Sequence, residues 1–332
     1  MATKEFIGKY LSTEISRYLP GFQNIEPVDY LGLDPSRNMV NIIDDLPIGL
    51  SSITYFTRED FGGTAIYDLN AEIPMVDFLV SQEKIVSGLA FVTGAKWSIF
   101  DLQKYQLAQR NNSNIESRNP VSTKVEIMGN FLSETENNMV LYGASARQCY
   151  GVFNQPDVTV SDQSSLGSGN FYSLNSSQVY NYFLEWINAF VRQAKLSSTS
   201  AIEILMPERL KALLAKPYDD GTNPIQLNVN IWDTLLSTNS AYNVGRLDSA
   251  LELEGENLLA NGVMPDNTKD RIIFKSNSNV SQNLTIHRHP RQVLTPFQRD
   301  SIHYEIMSYS GMTSAYIIKP TLMMYVDIGN EN

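Results

Sequence analysis

The sequence predicts an α+β fold. Runs of β-branched and aromatic residues read as strands, and two long segments carry a single apolar stripe at helical spacing. Strands and helices then follow one another without the regular alternation of a parallel α/β sheet. The chain has 332 residues, a length for one large or two ordinary domains and ample for a substantial core. Apolar residues at 42% and charged residues at 18% describe a folded globular protein. A formal charge of −11 disfavours a general nucleic-acid binder, because phosphate affinity rests on accumulated Lys and Arg. It leaves room for a protein that encloses DNA, since an acidic lining would not trap it.

The N-terminal "MATKEFIGKYLSTEISRYLP" places Ile7, Leu11, Ile15 and Tyr18 at helical spacing, and Pro20-Gly21 ends the helix. It lacks the apolar stretch of a signal peptide. Pro27, Pro35 and Pro47 follow in a loop-rich stretch, so residues 1–48 read as an arm that needs another surface to lie on. No segment approaches the roughly 18–20 apolar residues of a membrane span. Cys149 stands alone, which excludes an intramolecular disulfide and fits a reducing compartment, by default the cytoplasm.

From Ile53 the character turns to strand. "SSITYFTREDFGGTAIYDL" and "MVDFLVSQEKIVSGLAFV" are joined by the short polar "NAEIP". Val76, Phe78 and Val80 alternate with Asp77 and Leu79, so one face is the more apolar. Gly62-Gly63 marks a bulge or bend. Two arms of about 17 residues at about 3.3 Å each make a ribbon on the order of 50 Å long. Such a ribbon is marginal alone, so it packs on its own domain or reaches a neighbouring subunit.

The next element is a helix capped by Asn119, with Pro120 at the first helical position. Val121, Val125, Met128, Leu132, Thr135 and Met139 give one apolar stripe, while Lys124, Asn130, Glu134 and Asn137 take the other side. Its length of about 20 residues makes a rod of roughly 30 Å. A Ser/Gly-rich loop leads to a second helix with Val179, Phe183, Trp186, Phe190 and Ala194 on one face. "STSAIEILMPERLKALLA" reads as a buried strand and then a helix from Pro207. In "PIQLNVNIW", Ile225, Leu227, Val229 and Ile231 alternate as a half-buried strand. "DRIIFKS", "NLTIHRHP" and "SAYIIKPTLMMYVDI" are further strands.

The sequence offers little chemistry. His287-Arg288-His289 sets two imidazoles on one strand face, where they could bind a metal or simply lie at the surface; His303 stands apart. Cys149 beside aromatics reads as a small buried hydrophobe and not as a nucleophile. Asp219-Asp220 and Asp44-Asp45 stand in turn and loop compositions. A nucleophile elbow, a phosphate-cradling loop and a dinucleotide fingerprint are all absent. No catalytic, cofactor or metal residue is assigned.

In order, the parts are arm, long ribbon, long amphipathic helix, glycine pair, mixed region and closing strands. That order resembles the major capsid proteins of tailed bacteriophages, the Hong Kong 97-type fold shared by herpesvirus capsid floors and encapsulin compartments. Three stretches carry the resemblance. "SSITYFTREDFGGTAIYDLNAEIPMVD" looks like the extended loop of such coats. "MVLYGASARQCYGVFNQPDV" is similar to the stretch after their spine helix, and "SAYIIKPTLMMYVDIG" to their final peripheral-domain strand. The resemblance implies an arm (1–48), an extended loop (49–94), a peripheral domain with spine helix (95–149), an axial domain (150–270) and return strands (271–332). Gly143 and Gly151 would let the chain turn at the domain joint, with Asn154-Gln155-Pro156 as the turn leading inward; any surface loop would have the same local composition. Asp68, Leu69, Asn70, Ala71 and Glu72 would form the loop tip that lies over the adjacent subunit.

The resemblance further implies self-assembly as hexamers and pentamers into an icosahedral shell around double-stranded DNA, without sequence-specific binding. A portal and a decoration protein would be further partners, the virion its location, and the host cytoplasm its place of assembly. Some relatives cross-link through a lysine of the extended loop; here Thr57–Glu83 holds Arg58 but no lysine. Others carry an N-terminal scaffolding region of about a hundred residues, whereas this sequence reaches the loop by Ile53, so a separate scaffolding protein is expected. An encapsulin-like compartment keeps the fold and changes the cargo, and a soluble α+β enzyme or carbohydrate-binding protein is the reading from another class.

Overall fold

The computed structural model describes residues 30–37, 39–47, 52–61, 77–110, 120–144, 147–162, 170–197, 200–218, 226–236, 243–276, 283–300 and 302–330. The helix expected at Ile7–Tyr18, the Asn119 cap, Gly62-Gly63, the "NAEIP" connection, the tip Asp68–Glu72 and Asp219-Asp220 lie outside them.

In chain order the first elements are β1 (Asn41–Ile43), β2 (Ser52–Phe61), β3 (Asp77–Ser98), α1 (Ile99–Arg110) and α2 (Pro120–Leu141). Two-residue strands β4 (Gly143–Ala144) and β5 (Cys149–Tyr150) precede β6 (Thr159–Asp162) and α3 (Ser176–Ala194). Then come β7 (Ile202–Pro207), α4 (Glu208–Leu214), β8 (Pro217–Tyr218), β9 (Gln226–Asn230), α5 (Ile231–Leu236), β10 (Val244–Ala250) and α6 (Gly255–Ala260). The chain closes through β11 (Lys269–Ser276), β12 (Leu284–Val293), β13 (Phe297–Gln298), β14 (His303–Thr313), β15 (Tyr316–Ile317) and β16 (Met323–Gly329). It divides into two compact units, residues 1–30, 90–137 and 289–311, and residues 31–89, 138–288 and 312–332.

The second unit is built on a five-stranded sheet ordered β10-β7-β11-β16-β6. β11 runs antiparallel to both β7 and β16, while β10 pairs β7 and β6 pairs β16 in parallel. All six residues of β7 are buried, Glu203 among them through an ion pair with Lys275 of β11 at 2.8 Å. α3 supplies the cover. Its expected stripe of Val179, Phe183, Trp186 and Phe190, joined by Ile187, packs with Ile202, Ile204, Met206, Phe274, Met324 and Val326. Each such side chain contributes about 1.5–3 kcal/mol by leaving water. Asn175 starts α3 through a capping box with Gln178, whose side chain returns to the Asn175 N–H. The helix stops where Lys195 takes a left-handed φ of 50° and bonds back to Arg192 and Val191.

Two local expectations give way in this unit. The alternation through Ile231 ends one residue early, because Asn230 Oδ1 accepts from Asp233 N at 2.6 Å and turns the chain into α5. Ile231 is then the wholly buried first residue of a helix. Likewise Pro207 closes β7 and caps α4, which begins at Glu208.

A buried carboxylate ties the unit's ends together. Asp270, fully shielded, accepts from Gly255 N at 2.8 Å and Arg209 Nη2 at 2.9 Å. The Tyr172 hydroxyl and the Asn330 amide also donate to it. Burial, and then the Asp270 charge, push the Tyr172 hydroxyl far above its ordinary range, so it remains a donor.

In the first unit the strands run β12-β14-β3, with β13 pairing β14. Trp97, Met128 and Ile306 form its small core, and Trp97 stacks on Tyr304 at 6.2 Å. Of the expected stripe on α2, Met128, Leu132 and Met139 are buried and Val125 is half-buried. Thr135 is instead exposed and bonds back to Phe131 O, while Glu136 is fully buried and Asn137 nearly so. The cause is Arg291, which grips both Glu136 oxygens at 3.0 and 2.8 Å and donates to Gly129 O at 3.1 Å. A paired charge has displaced the apolar stripe by one residue. α1, β6, β10 and β14 are elements that the sequence reading did not identify.

Replacing Asp270 leaves Arg209, two amide donors and a buried hydroxyl short of their acceptor. Asp270→Ala should lower the unfolding free energy of this unit by about 2–4 kcal/mol. A denaturant titration followed by tryptophan fluorescence should show the transition moving to lower denaturant.

Candidate functional site

The stretch after α2 is held by the absence of side chains. Gly143 has a φ of 71°, and a Cβ there would lie 2.3 Å from Cys149 O. A Cβ on Gly151 would lie 2.4 Å from Leu141 O and 2.6 Å from Gly143 N. Only glycine fits either position. The close approach lets Gly143-Ala144 pair with Cys149-Tyr150 as a short hairpin. Val152 N and Phe153 N then donate to Val140 O and Leu141 O at 2.8 and 2.9 Å, satisfying carbonyls at the end of α2.

Polar side chains secure the same backbone. Asn154 Oδ1 accepts from Gly151 N at 2.6 Å, and its Nδ2 donates to Tyr142 O at 2.9 Å. Gln155, buried, donates to Gly151 O and Ala315 O at 2.6 and 3.0 Å. Pro156 is exposed, and Val158 N closes the following turn on Gln155 O. Tyr325 receives Gln155 N on its hydroxyl and donates to Val152 O, and burial raises that hydroxyl well above its ordinary range. Arg271 and Asp327, register partners in β11 and β16, form a bidentate buried pair at 2.7 and 2.8 Å. Arg271 also donates to Phe153 O and lies 4.7 Å over the Tyr325 ring. Sequence reasoning picked out the glycines, Asn154 and Pro156 but missed this network. Its signal was available: one Arg in the apolar "DRIIFKS" and one Asp in "MMYVDIG".

The ribbon is the second candidate. β2 pairs antiparallel with β3 from Ser52↔Ser87 to Phe61↔Asp77, with a bulge between Phe56 and Thr57. Phe78, Leu79 and Val80 are 58%, 55% and 53% exposed, so apolar side chains face water on both sides of this strand. The alternation in sequence had suggested that one face is the more apolar, with Leu79 on the other.

The remaining candidates are occupied by protein partners. His287 Nδ1 lies 2.6 Å from Asp45 Oδ1, its Nε2 lies 3.0 Å from the Tyr316 hydroxyl, and its ring stacks on Tyr316. Arg288 grips Asp44 at 2.6 and 3.0 Å, and His289 stacks on Tyr309. His303 binds Asp300, whose carboxyl is drawn down to about 2, chiefly by the backbone N–H groups of Ile302 and His303. Among the described residues, no group of three His, Cys, Asp or Glu is placed to hold a metal ion. Cys149 is wholly buried and burial raises its thiol pKa, which disfavours the thiolate a nucleophile needs.

Comparison with known proteins places this geometry. A family model described as major capsid protein matches residues 64–328. No curated protein is significantly similar in sequence. The chain is similar to the capsid of Myoviridae Phage XM1, at 13% identity and a TM-score of 0.64, covering 88% of this chain and 90% of that one. It is similar to the capsid of an empty GTA particle, at 12% identity and a TM-score of 0.54, covering 94% and 96%. The mature capsid of bacteriophage PhiM1 matches at 10% identity and a TM-score of 0.51, covering 89% and 87%. At these identities the likeness is one of fold, the Hong Kong 97-type fold that the sequence suggested.

Two glycines should respond in opposite directions. Gly143→Ala forces a Cβ into Cys149 O at a positive φ and should cost more than about 3 kcal/mol, or prevent folding. At Gly129, within α2, a Cβ meets nothing within 4 Å, so Gly129→Ala should stabilise by about 0.5–1 kcal/mol. Thermal unfolding of the two variants beside the parent checks both signs.

Proposed function

Because this chain belongs to the major capsid protein family, we propose that it is the coat subunit of a tailed double-stranded-DNA phage, assembling as hexamers and pentamers into an icosahedral shell. A shell subunit works by geometry. Repeated heterologous contacts close into rings, and many weak contacts then act together. Such a shell persists kinetically, because one subunit leaves only by breaking several interfaces at once.

The observation that carries this reading is the ribbon. Ten paired positions from Ser52 to Phe61 extend it, roughly 33 Å at about 3.3 Å per residue. A two-stranded ribbon that exposes Phe78, Leu79 and Val80 is marginal on its own and stable when a neighbouring copy covers it. In this reading residues 49–94 are the extended loop, with Asp68–Glu72 as the tip over the adjacent subunit. Residues 1–48 are the arm, 95–149 the peripheral domain, 150–270 the axial domain and 271–332 the return strands. Gly143, Gly151, Asn154 and Pro156 mark the joint between peripheral and axial parts.

The charge of −11 suits a wall that encloses DNA without binding its sequence. A separate scaffolding protein guides assembly in the host cytoplasm, and a portal completes the particle. The chain carries out no catalytic step in this reading.

Deleting Asp68–Glu72 separates folding from assembly. The shortened chain should keep the far-ultraviolet circular dichroism and elution volume of the unassembled parent, yet give few or no closed shells by negative-stain electron microscopy. Shells of normal number and shape from the deletion would overturn the assignment.

A further inference from the structure

We propose that the N-terminal segment Lys4–Tyr18 docks in cis on the outward face of α2, at Ile127 and Phe131. α2 carries two sets of apolar residues. Met128 and Leu132 are buried, whereas Ile127 and Phe131, four residues apart and about a quarter-turn around the helix, are 46% and 60% exposed. Glu126, Asn130, Glu134 and Asn138 surround that pair and are exposed too. An aliphatic and an aromatic side chain stacked at this spacing form the kind of ridge that an amphipathic helix covers.

The occupant follows from where the chain arrives. The Tyr30 hydroxyl donates to Asn130 O at 3.2 Å, which places the Tyr30 side chain at α2, beside the residue that precedes Phe131. The polypeptide preceding Tyr30 contains Ile7, Leu11, Ile15 and Tyr18, spaced for one face of a helix. A helix of this length is marginal in water and needs a face to rest on. The connection from Tyr18 to Tyr30 reaches up to about 40 Å, several times the 5.4 Å turn that separates Asn130 from either apolar residue. A segment tethered so closely has an effective concentration on the order of millimolar, which favours its own chain over a competitor. Charge agrees: Lys4, Lys9 and Arg17 outnumber Glu5 and Glu14 in the segment, and Glu126 and Glu134 flank the site.

This contact stands independently of the shell reading, and it removes Ile127 and Phe131 from the surface available to neighbouring subunits. Two measurements on the full chain test it. In the Leu11→Cys, Phe131→Cys double variant, mild oxidation followed by thiol blocking before denaturation should give a faster-migrating monomer on a non-reducing gel; buried Cys149 remains as an internal control. Neither single variant should show that band. Separately, Phe131→Asp should accelerate tryptic cleavage after Lys9 and Arg17 at least roughly tenfold, with the unfolding midpoint unchanged. An absent cross-link, a cross-link only between two chains, or equal cleavage rates would overturn the proposal. The second outcome would assign the site to another copy's segment, and the first and third would leave it open to a partner such as a scaffolding protein.

Discussion

Everything in the larger unit depends on one close approach between backbones. Leu141 and Gly143 at the end of α2 run against Cys149 and Gly151 at distances that no Cβ could tolerate. The hydrogen bonds of Val152 and Phe153 to Val140 and Leu141 follow from it, and they aim the chain toward β6. β6 in turn pairs in parallel with β16, the strand that carries Tyr325 and Asp327. The Arg271–Asp327 pair then reaches back through Phe153 O, so the turn and the sheet fix one another. Removing one member of such a pair typically costs about 3–5 kcal/mol, because its partner is left charged in a dry place.

The body is therefore over-determined, while the ribbon is under-determined. Around Asp270 and Arg271 the buried charges have close partners drawn from elements distant in sequence. β2 and β3 offer the opposite case, pairing with each other along Ser52–Phe61 while Phe78, Leu79 and Val80 stand more than half exposed. A coat protein needs both properties. A rigid body sets the angles at which copies meet, and an unsatisfied extension makes each subunit more stable in company than alone.

Local signals carried most of the fold into the sequence. The stripe of α3 could be read because burial there follows helical periodicity, and β16 because it is a strand-forming run buried from Met323 to Ile328. What could not be read was set by distant partners. Glu136 is buried on α2 only because Arg291, 155 positions away, reaches it. β14 hid because its buried positions include Ser308, Ser310 and Thr313, small polar residues that break the apolar alternation. α1 left a signal that went unused: Ser98 and Asp101 cap each other reciprocally, at 2.9 and 3.2 Å. At the candidate site the glycines were legible from composition, whereas the Tyr325 and Gln155 contacts needed the fold to bring them together.

In the proposed shell the ribbon is completed by another copy of the same chain. The most direct measurement is a residue-level electron cryomicroscopy reconstruction of particles formed by the unaltered chain. The expected result is a closed shell in which Phe78, Leu79 and Val80 are buried against an adjacent subunit, while the hydrogen bonds from Val152 and Phe153 to α2 are unchanged. A shell in which those three side chains remain in solvent, or fold back onto their own subunit, would contradict it.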